Sequence, residues 1–311
     1  MAENKRYHAF TGYFMQQYGT RLQKVVVDAG FSCPNRDGTV GLGGCTYCDN
    51  AAFHPSYSTP DKSITQQIDE GIAFHKVRYR RAGGYLAYFQ PYSNTHAPLE
   101  QLKQIYRPAL EDPRIAGLVI GTRPDCVDEA KLDYLASLAR EKIILLEFGV
   151  ESCYNATLDH IHRGHTFEQA QRAITQAAAR GLHTTAHLIL GLPTESREQM
   201  LAEASLLSAL PITGLKLHQL QIVRGTAMEQ EFAQYPDRFV TFTLDQYLDF
   251  VVDFLERLRQ DIYIERIVGE VPPRFVNATP WGLIRNVEIL RRLDERLEAR
   301  QTRQGAKFLP I

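Results

Sequence analysis

The chain has 311 residues, 44% of them apolar, and no low-complexity tract, so it can bury one sizeable core and is neither disordered nor fibrous. Its 35 Lys and Arg against 36 Asp and Glu leave a net charge of −1, which gives no global attraction to nucleic acid; any polyanion site has to come from local clustering of basic residues. No apolar run approaches the roughly 18 to 20 residues that span a bilayer, and the opening MAENKRYHAF has no signal-peptide stretch, so the expected location is cytoplasmic, with no membrane partner.

After a short helix-like opening, β-rich apolar runs occur at Val25–Val27, Tyr85–Phe89, Gly117–Ile120, Ile143–Phe148, Thr184–Leu190 and Leu215–Leu220. Amphipathic stretches lie between them. Several begin with a capping box, at Ser63/Gln66, Thr166/Gln169, Ser196/Gln199 and Thr243/Gln246, where hydroxyl and amide satisfy orphan backbone N–H groups. Repeated strand–helix alternation implies right-handed crossovers and a parallel sheet, closed as a barrel or left open. The loops after the strands' C-terminal ends then build the active site. Cys33, Tyr92–Thr95, Thr122–Asp125, Glu147–Ser152 and Gly191–Glu195 should converge there. Beyond about residue 225 the pattern breaks, and two helices, Thr243–Arg259 and Trp281–Arg300, flank Ile262–Val268, which could be a further strand. The expected organisation is a core over residues 1–230 and a C-terminal cap over 231–311.

Three of the five cysteines crowd into sixteen residues as Cys33, Cys45 and Cys48, spaced C-x11-C-x2-C across the Gly-rich GTVGLGG. Three thiolates can ligate three irons of a cubane and leave the fourth open, whereas a closed electron-transfer cluster needs four. S-adenosylmethionine (SAM) can chelate that open iron through its amino and carboxylate groups, so that an electron reaches the sulfonium and releases a 5′-deoxyadenosyl radical. A structural zinc site with His54 as fourth ligand is the alternative. Cys126 and Cys153 are expected to be small buried residues.

The text DAGFSCPNRDGTVGLGGCTYCDNAAF, followed in order by GTRPDC, EFGVES, HIHRGHT and LILGLPTE, resembles the YhcC/YtqA-type radical SAM family, related to the elongator catalytic subunit. The resemblance covers essentially the whole chain, although its cysteine spacing departs from the commoner C-x3-C-x2-C. It implies a partial (β/α)6 radical SAM barrel with a C-terminal α/β extension, carrying a [4Fe–4S] cluster on Cys33, Cys45 and Cys48 with SAM beside it. By the same resemblance Tyr47 packs near the adenine. Ser93 and Asn94, with Gln90, stand where relatives carry the Gly-Gly-Glu run that holds the SAM amino group. Thr122 and Asp125 meet polar edges of SAM or substrate, although a turn and helix cap explains Asp125 equally well. Glu147 and Glu151 fall on one face by alternation; Glu151 and Ser152 should reach the SAM ribose, and Arg163 should pair with the SAM carboxylate. Gly191, in LGLP, belongs to the motif whose backbone reads adenine. His160, His162 and His165 are too irregularly spaced for a metal site and read as a polar loop.

The substrate is less legible. Basic charge surrounds Tyr79 in His75–Arg81 and recurs at Arg291, Arg292, Arg296, Arg300, Arg303 and Lys307; both clusters could grip phosphates, or be solvated helix faces. Relatedness to the elongator subunit implies tRNA and, more narrowly, the wobble-uridine C5 side chain. The implied partners are SAM, tRNA and an electron donor such as flavodoxin or ferredoxin. A radical SAM enzyme acting on a small molecule or protein, and a zinc-stabilised nucleic-acid-binding module without catalysis, are the alternatives.

Overall fold

A computed structural model describes residues 5–50, 55–78, 82–269, 271–276 and 281–310. Seven strands form one sheet: β1 Leu22–Val27, β2 Gly84–Phe89, β3 Ile115–Thr122, β4 Ile143–Glu151, β5 His183–Leu190, β6 Gly214–Gln219 and β7 Tyr263–Arg266. They are hydrogen-bonded in chain order, and every neighbouring pair is parallel. Runs such as LVIGT and IILLEFG are buried on both faces, which is why they read as continuous apolar text rather than as alternation. The six predicted strands are all present. The conditional seventh, within Ile262–Val268, joins the same sheet beside β6.

Helices α1 Phe10–Tyr18, α2 Ile64–Arg78, α3 Leu99–Glu111, α4 Glu129–Leu138, α5 Asn155–His160, α6 Phe167–Ala179, α7 Arg197–Ser208, α8 Ala227–Gln234, α9 Leu244–Arg257 and α10 Asn286–Ala299 complete the chain. Full capping boxes start α6, α7 and α9. At Ser63 only half forms: its hydroxyl accepts from Gln66 N, while the Gln66 amide turns to Glu70.

The sheet curls into a partial barrel. Lys24 on β1 and Glu265 on β7, the two outermost strands, pair at 2.6 Å, which a flat seven-stranded sheet forbids because neighbouring strands stand about 4.8 Å apart. The main apolar core lies between the sheet and its outer helices. A smaller cluster fills one end of the lumen, where Phe14 of α1 packs on Leu86, Val119 and Leu145. Tyr13 reaches His183, the first residue of β5, at 3.2 Å, so α1 plugs the N-terminal end and leaves the C-terminal end for the site. Among the described residues no helix is long and apolar enough to cross a membrane.

Candidate active site

The eleven residues between Cys33 and Cys45 fold back on themselves. Val40 N and Gly41 N both donate to Pro34 O, at 2.8 and 3.1 Å, and Gly44 N donates to Asn35 O at 2.8 Å. The last bond closes residues 36–43 off as a side loop, so that in space Cys33 is followed by Pro34, Asn35, Gly44 and then Cys45. Three residues intervene along that path, and two more separate Cys45 from Cys48. The long spacing thus reduces to C-x3-C-x2-C with a loop attached. Glycine is required here: Gly38, Gly43 and Gly44 have φ of 88°, 82° and 85°, and a Cβ on Gly41 would meet Asn35 Oδ1 at 2.6 Å. Asn35 Nδ2 lies 3.6 Å from Cys45 Sγ, and Arg36 anchors the loop by donating to Cys48 O at 2.7 Å.

The three cysteines line one cavity of about 440 Å³ at the C-terminal ends of the strands, together with Tyr47, Ser93, Thr122, Glu151 and Arg163. The Arg163 guanidinium is buried. It donates to Gly149 O at 2.6 Å and to His165 Nε2 at 3.0 Å, lies 3.7 Å from Cys45 Sγ and pairs with Glu151 at 3.2 Å. Two backbone features make room for it. A register shift in β4 between Gly149 and Glu151 turns Glu151 inward with φ of 70°, and a Cβ on Gly149 would collide with both Arg163 Nη2 and Glu151 Oε1. Burial, then the Arg163 guanidinium, pushes the His165 imidazole down to about 3, so it accepts from Arg163 as a neutral ring. Ser93 is buried in the cavity wall, its hydroxyl beside the Cys126 thiol.

Other sequence-predicted residues sit behind this wall. Asn94 Nδ2 donates to Gly121 O at 2.8 Å, tying the β2 loop to β3, and Asn94 Oδ1 is unpartnered. Asp125 accepts from Arg123 at 2.9 and 2.7 Å; burial alone would raise its carboxyl, but the Arg123 fork outweighs this and lowers it. Arg123 in turn donates to Arg163 O. Ser152 turns to Glu195 at 2.5 Å, and Gly191, with φ of 95°, lies against Val240 O in the turn after β5. None of these four predicted residues lines the cavity.

Residues 33–207 match the Radical SAM superfamily and residues 212–299 match the Radical_SAM C-terminal domain. The chain belongs to the radical SAM superfamily. It is 33% identical over 310 residues to the protein YtqA of Bacillus subtilis, covering 98% of this chain and 93% of that one. It is 39% identical to YhcC of Escherichia coli over 73% of this chain and 72% of that one. A tRNA uridine(34) acetyltransferase of Dehalococcoides mccartyi is 26% identical over 58% of this chain and 38% of its own length. Among solved structures, Elp3 of Methanocaldococcus infernus superposes with a TM-score of 0.67 at 15% identity, over 92% of this chain and 64% of that one, a likeness of fold.

As a radical SAM enzyme the chain carries a polar ring that no sequence motif announces, two of whose members, Glu147 and Lys216, line the cavity. Lys24, Glu147, Lys216 and Glu265 form a closed ring of four ion pairs in the lumen, with Lys24–Glu265 at 2.6, Lys216–Glu147 at 2.9 and Lys216–Glu265 at 3.1 Å, and Lys24–Glu147 closing it. Tyr88 and His187 also bond Glu147, at 2.6 and 2.8 Å. The available signal is a charged residue inside an apolar strand, as in QKVVV and LLEFG.

Cys126 and Cys153 are buried away from the cavity, and burial pushes the Cys126 thiol up to about 12. Among the described residues no three Cys, His, Asp or Glu side chains converge on a single-ion site, as four tetrahedral ligands at about 2.3 Å from zinc would. A cubane instead takes each thiolate on a different iron. His54, the fourth ligand of the zinc alternative, lies outside the described residues. His160 pairs with Glu231 at 2.8 Å.

Proposed function

We propose that this radical SAM enzyme holds a [4Fe–4S] cluster on Cys33, Cys45 and Cys48, cleaves SAM reductively with an electron from a flavodoxin or ferredoxin, and modifies the C5 side chain of the wobble uridine in tRNA. The observation that carries the chemistry is the closed-off loop, which turns C-x11-C-x2-C into a three-residue and two-residue spacing along one cavity wall. The residues around it fit both groups. Three thiols line the cavity, the Ser93 hydroxyl lines it with them and can accept from an amino group, and the space kept by Gly149 seats a guanidinium suited to a carboxylate. When bound, the cluster supplies the electron and SAM the carbon radical.

The chain's own groups would bind and orient. Arg163 and Ser93 take the charged ends of SAM, Glu151 stands beside Tyr47 for its nucleoside, and α1 with the lumen ring shuts the other end against water. The tRNA reading is supported by the relative named for uridine 34 of tRNA. The C-terminal basic cluster does not support it: Arg291, Arg292, Arg296 and Arg300 are each paired with carboxylates of α9 or α10. Lys307 of the same cluster pairs with Glu256, which leaves Arg303 and the segment after His75 as candidates for phosphate contact, with Arg303 and Lys76 exposed; Arg80 and Arg81 lie outside the described residues.

Two measurements test the proposal. Anaerobic reconstitution should give a brown protein with several irons per chain; stoichiometric zinc without iron would overturn the cluster. Nucleoside mass profiling of tRNA from a strain lacking the protein should show loss of one modified uridine; an unchanged profile would overturn the tRNA substrate.

A further inference from the structure

Strand β7 carries one residue more than its partner. Leu215 pairs with Ile264, but the next residue, Lys216, pairs with Arg266, leaving Glu265 as the extra one. Bulges of this kind re-aim side chains beside active sites. Here two successive side chains serve the lumen side: Glu265 bonds Lys24 and Lys216, and Arg266 lines the cavity.

Among the described residues the charges around Arg266 do not balance. Two lysines and two glutamates of the ring cancel one another through four ion pairs. His187 and His218, which share this wall, are held neutral because burial lowers both imidazoles. Arg266 is exposed to the cavity and has no hydrogen-bond or ion-pair partner among the described residues. Its charge, after burial, adds to what disfavours protonation of His218 on the same wall. The wall formed by β6 and β7, which lines the same cavity as the cysteines, therefore presents, among the described residues, an uncompensated guanidinium whose planar fork of donors matches the paired oxygens of a carboxylate or phosphate.

We propose that Arg266 anchors an oxyanion of the substrate, carboxylate or phosphate, at the β6–β7 wall, so that the rest of the substrate lies across the cavity toward the cysteines. This deepens the proposed function and rests on it only for the carrier, a uridine nucleotide; the anion site itself follows from the cavity.

The test uses the reconstituted holoprotein with SAM bound. Phenylglyoxal modification of Arg266, followed by peptide mass mapping, is measured with inorganic phosphate, acetate, uridine, uridine 5′-monophosphate and a uridine bearing a carboxylate on its C5 substituent. Phosphate or acetate should slow modification of Arg266, and one of the two charged uridines should do so at lower concentration while uridine does not. Which one protects tells phosphate from carboxylate. In equilibrium dialysis Arg266→Gln should weaken that ligand by about tenfold or more, the loss of a charge-assisted pair, with SAM affinity kept. Absence of protection by every anion, or equal binding to Arg266→Gln and wild type, overturns the site. Protection by phosphate or acetate, but by neither charged uridine, upholds the anion site and overturns the uridine carrier.

Discussion

Lys24 on the first strand and Glu265 on the last meet at 2.6 Å across the barrel lumen, and Glu147 on the middle strand ties both lysines of the ring together. Glu147 is the hub, with 1% of its surface exposed. Removing it leaves Lys24 and Lys216 sharing one carboxylate, and a buried pair broken on one side typically costs about 3–5 kcal/mol. Glu147→Gln should show that order of destabilisation by denaturant unfolding. Replacing Lys216 as well, in Glu147→Gln/Lys216→Met, restores the charge balance and should recover part of it. Additive losses in the double variant would sink the ring as a coupled unit. Burial alone raises the Glu147 carboxyl, but Lys216 and Lys24 outweigh it and hold it well below 4.5. Its contribution is therefore present above pH 4.5 and is lost as pH falls through the lowered value.

Cys33→Ala, Cys45→Ala and Cys48→Ala should each abolish stable cluster assembly, whereas Cys126→Ala and Cys153→Ala should keep iron nearly intact. The first three line the cavity and the other two are buried away from it. Iron and sulfide assays after reconstitution decide this. Loss of the cluster in Cys126→Ala as complete as in Cys33→Ala would overturn the ligand set.

Six strands were legible, most plainly β3 and β4, which are buried on both faces and written largely in Val, Ile and Leu, while the seventh stood only as a possibility; the helix starts were legible because Thr166, Ser196 and Thr243 cap locally. The ring was not: Lys24 and Glu265 are far apart in sequence, and nothing local says that the sheet curls enough for its edges to touch. Ser152 stands beside Glu151 in the sequence, yet the β4 register shift sends Glu151 to Arg163 and Ser152 to Glu195. The meaning of the eleven-residue cysteine spacing was hidden for a similar reason, since it depends on one backbone bond from Gly44 to Asn35.

Gly149→Ala separates the SAM wall from the cluster. The added methyl collides with Arg163 Nη2 and Glu151 Oε1, so the guanidinium must leave the position from which it reaches Gly149 O. Iron content should survive, and SAM affinity of the reconstituted protein should fall by about 1.5–3 kcal/mol, the worth of hydrogen bonds to a charged group. Arg163→Ala should lose a similar amount, and the two changes together little more than either alone. Unchanged SAM affinity in both variants would remove Arg163 from the site.

Glu195 and Glu203 are both buried, with Ser152 donating to Glu195 and Cys153 N to Glu203. Burial is the cause that lifts both; Glu195 rises from 4.5 to about 7, and the neighbouring Glu195 charge adds to the lift on Glu203. The sign follows from linkage. Between pH 4.5 and about 7 the folded protein keeps a proton on Glu195 that the unfolded chain releases, so the Glu195 contribution to stability falls as pH rises through that window and then levels off, while the lifted Glu203 adds a decline of its own. Glu195→Gln keeps an acceptor for Ser152 Oγ and removes the ionisation. Its stability should be flatter across the same window and should exceed that of the wild type above pH 7. Denaturant midpoints at a series of pH values measure this directly. A wild-type protein equally stable from pH 5 to pH 8, or a Gln variant that declines as steeply as the wild type, would show that this carboxyl ionises as readily inside the fold as outside it.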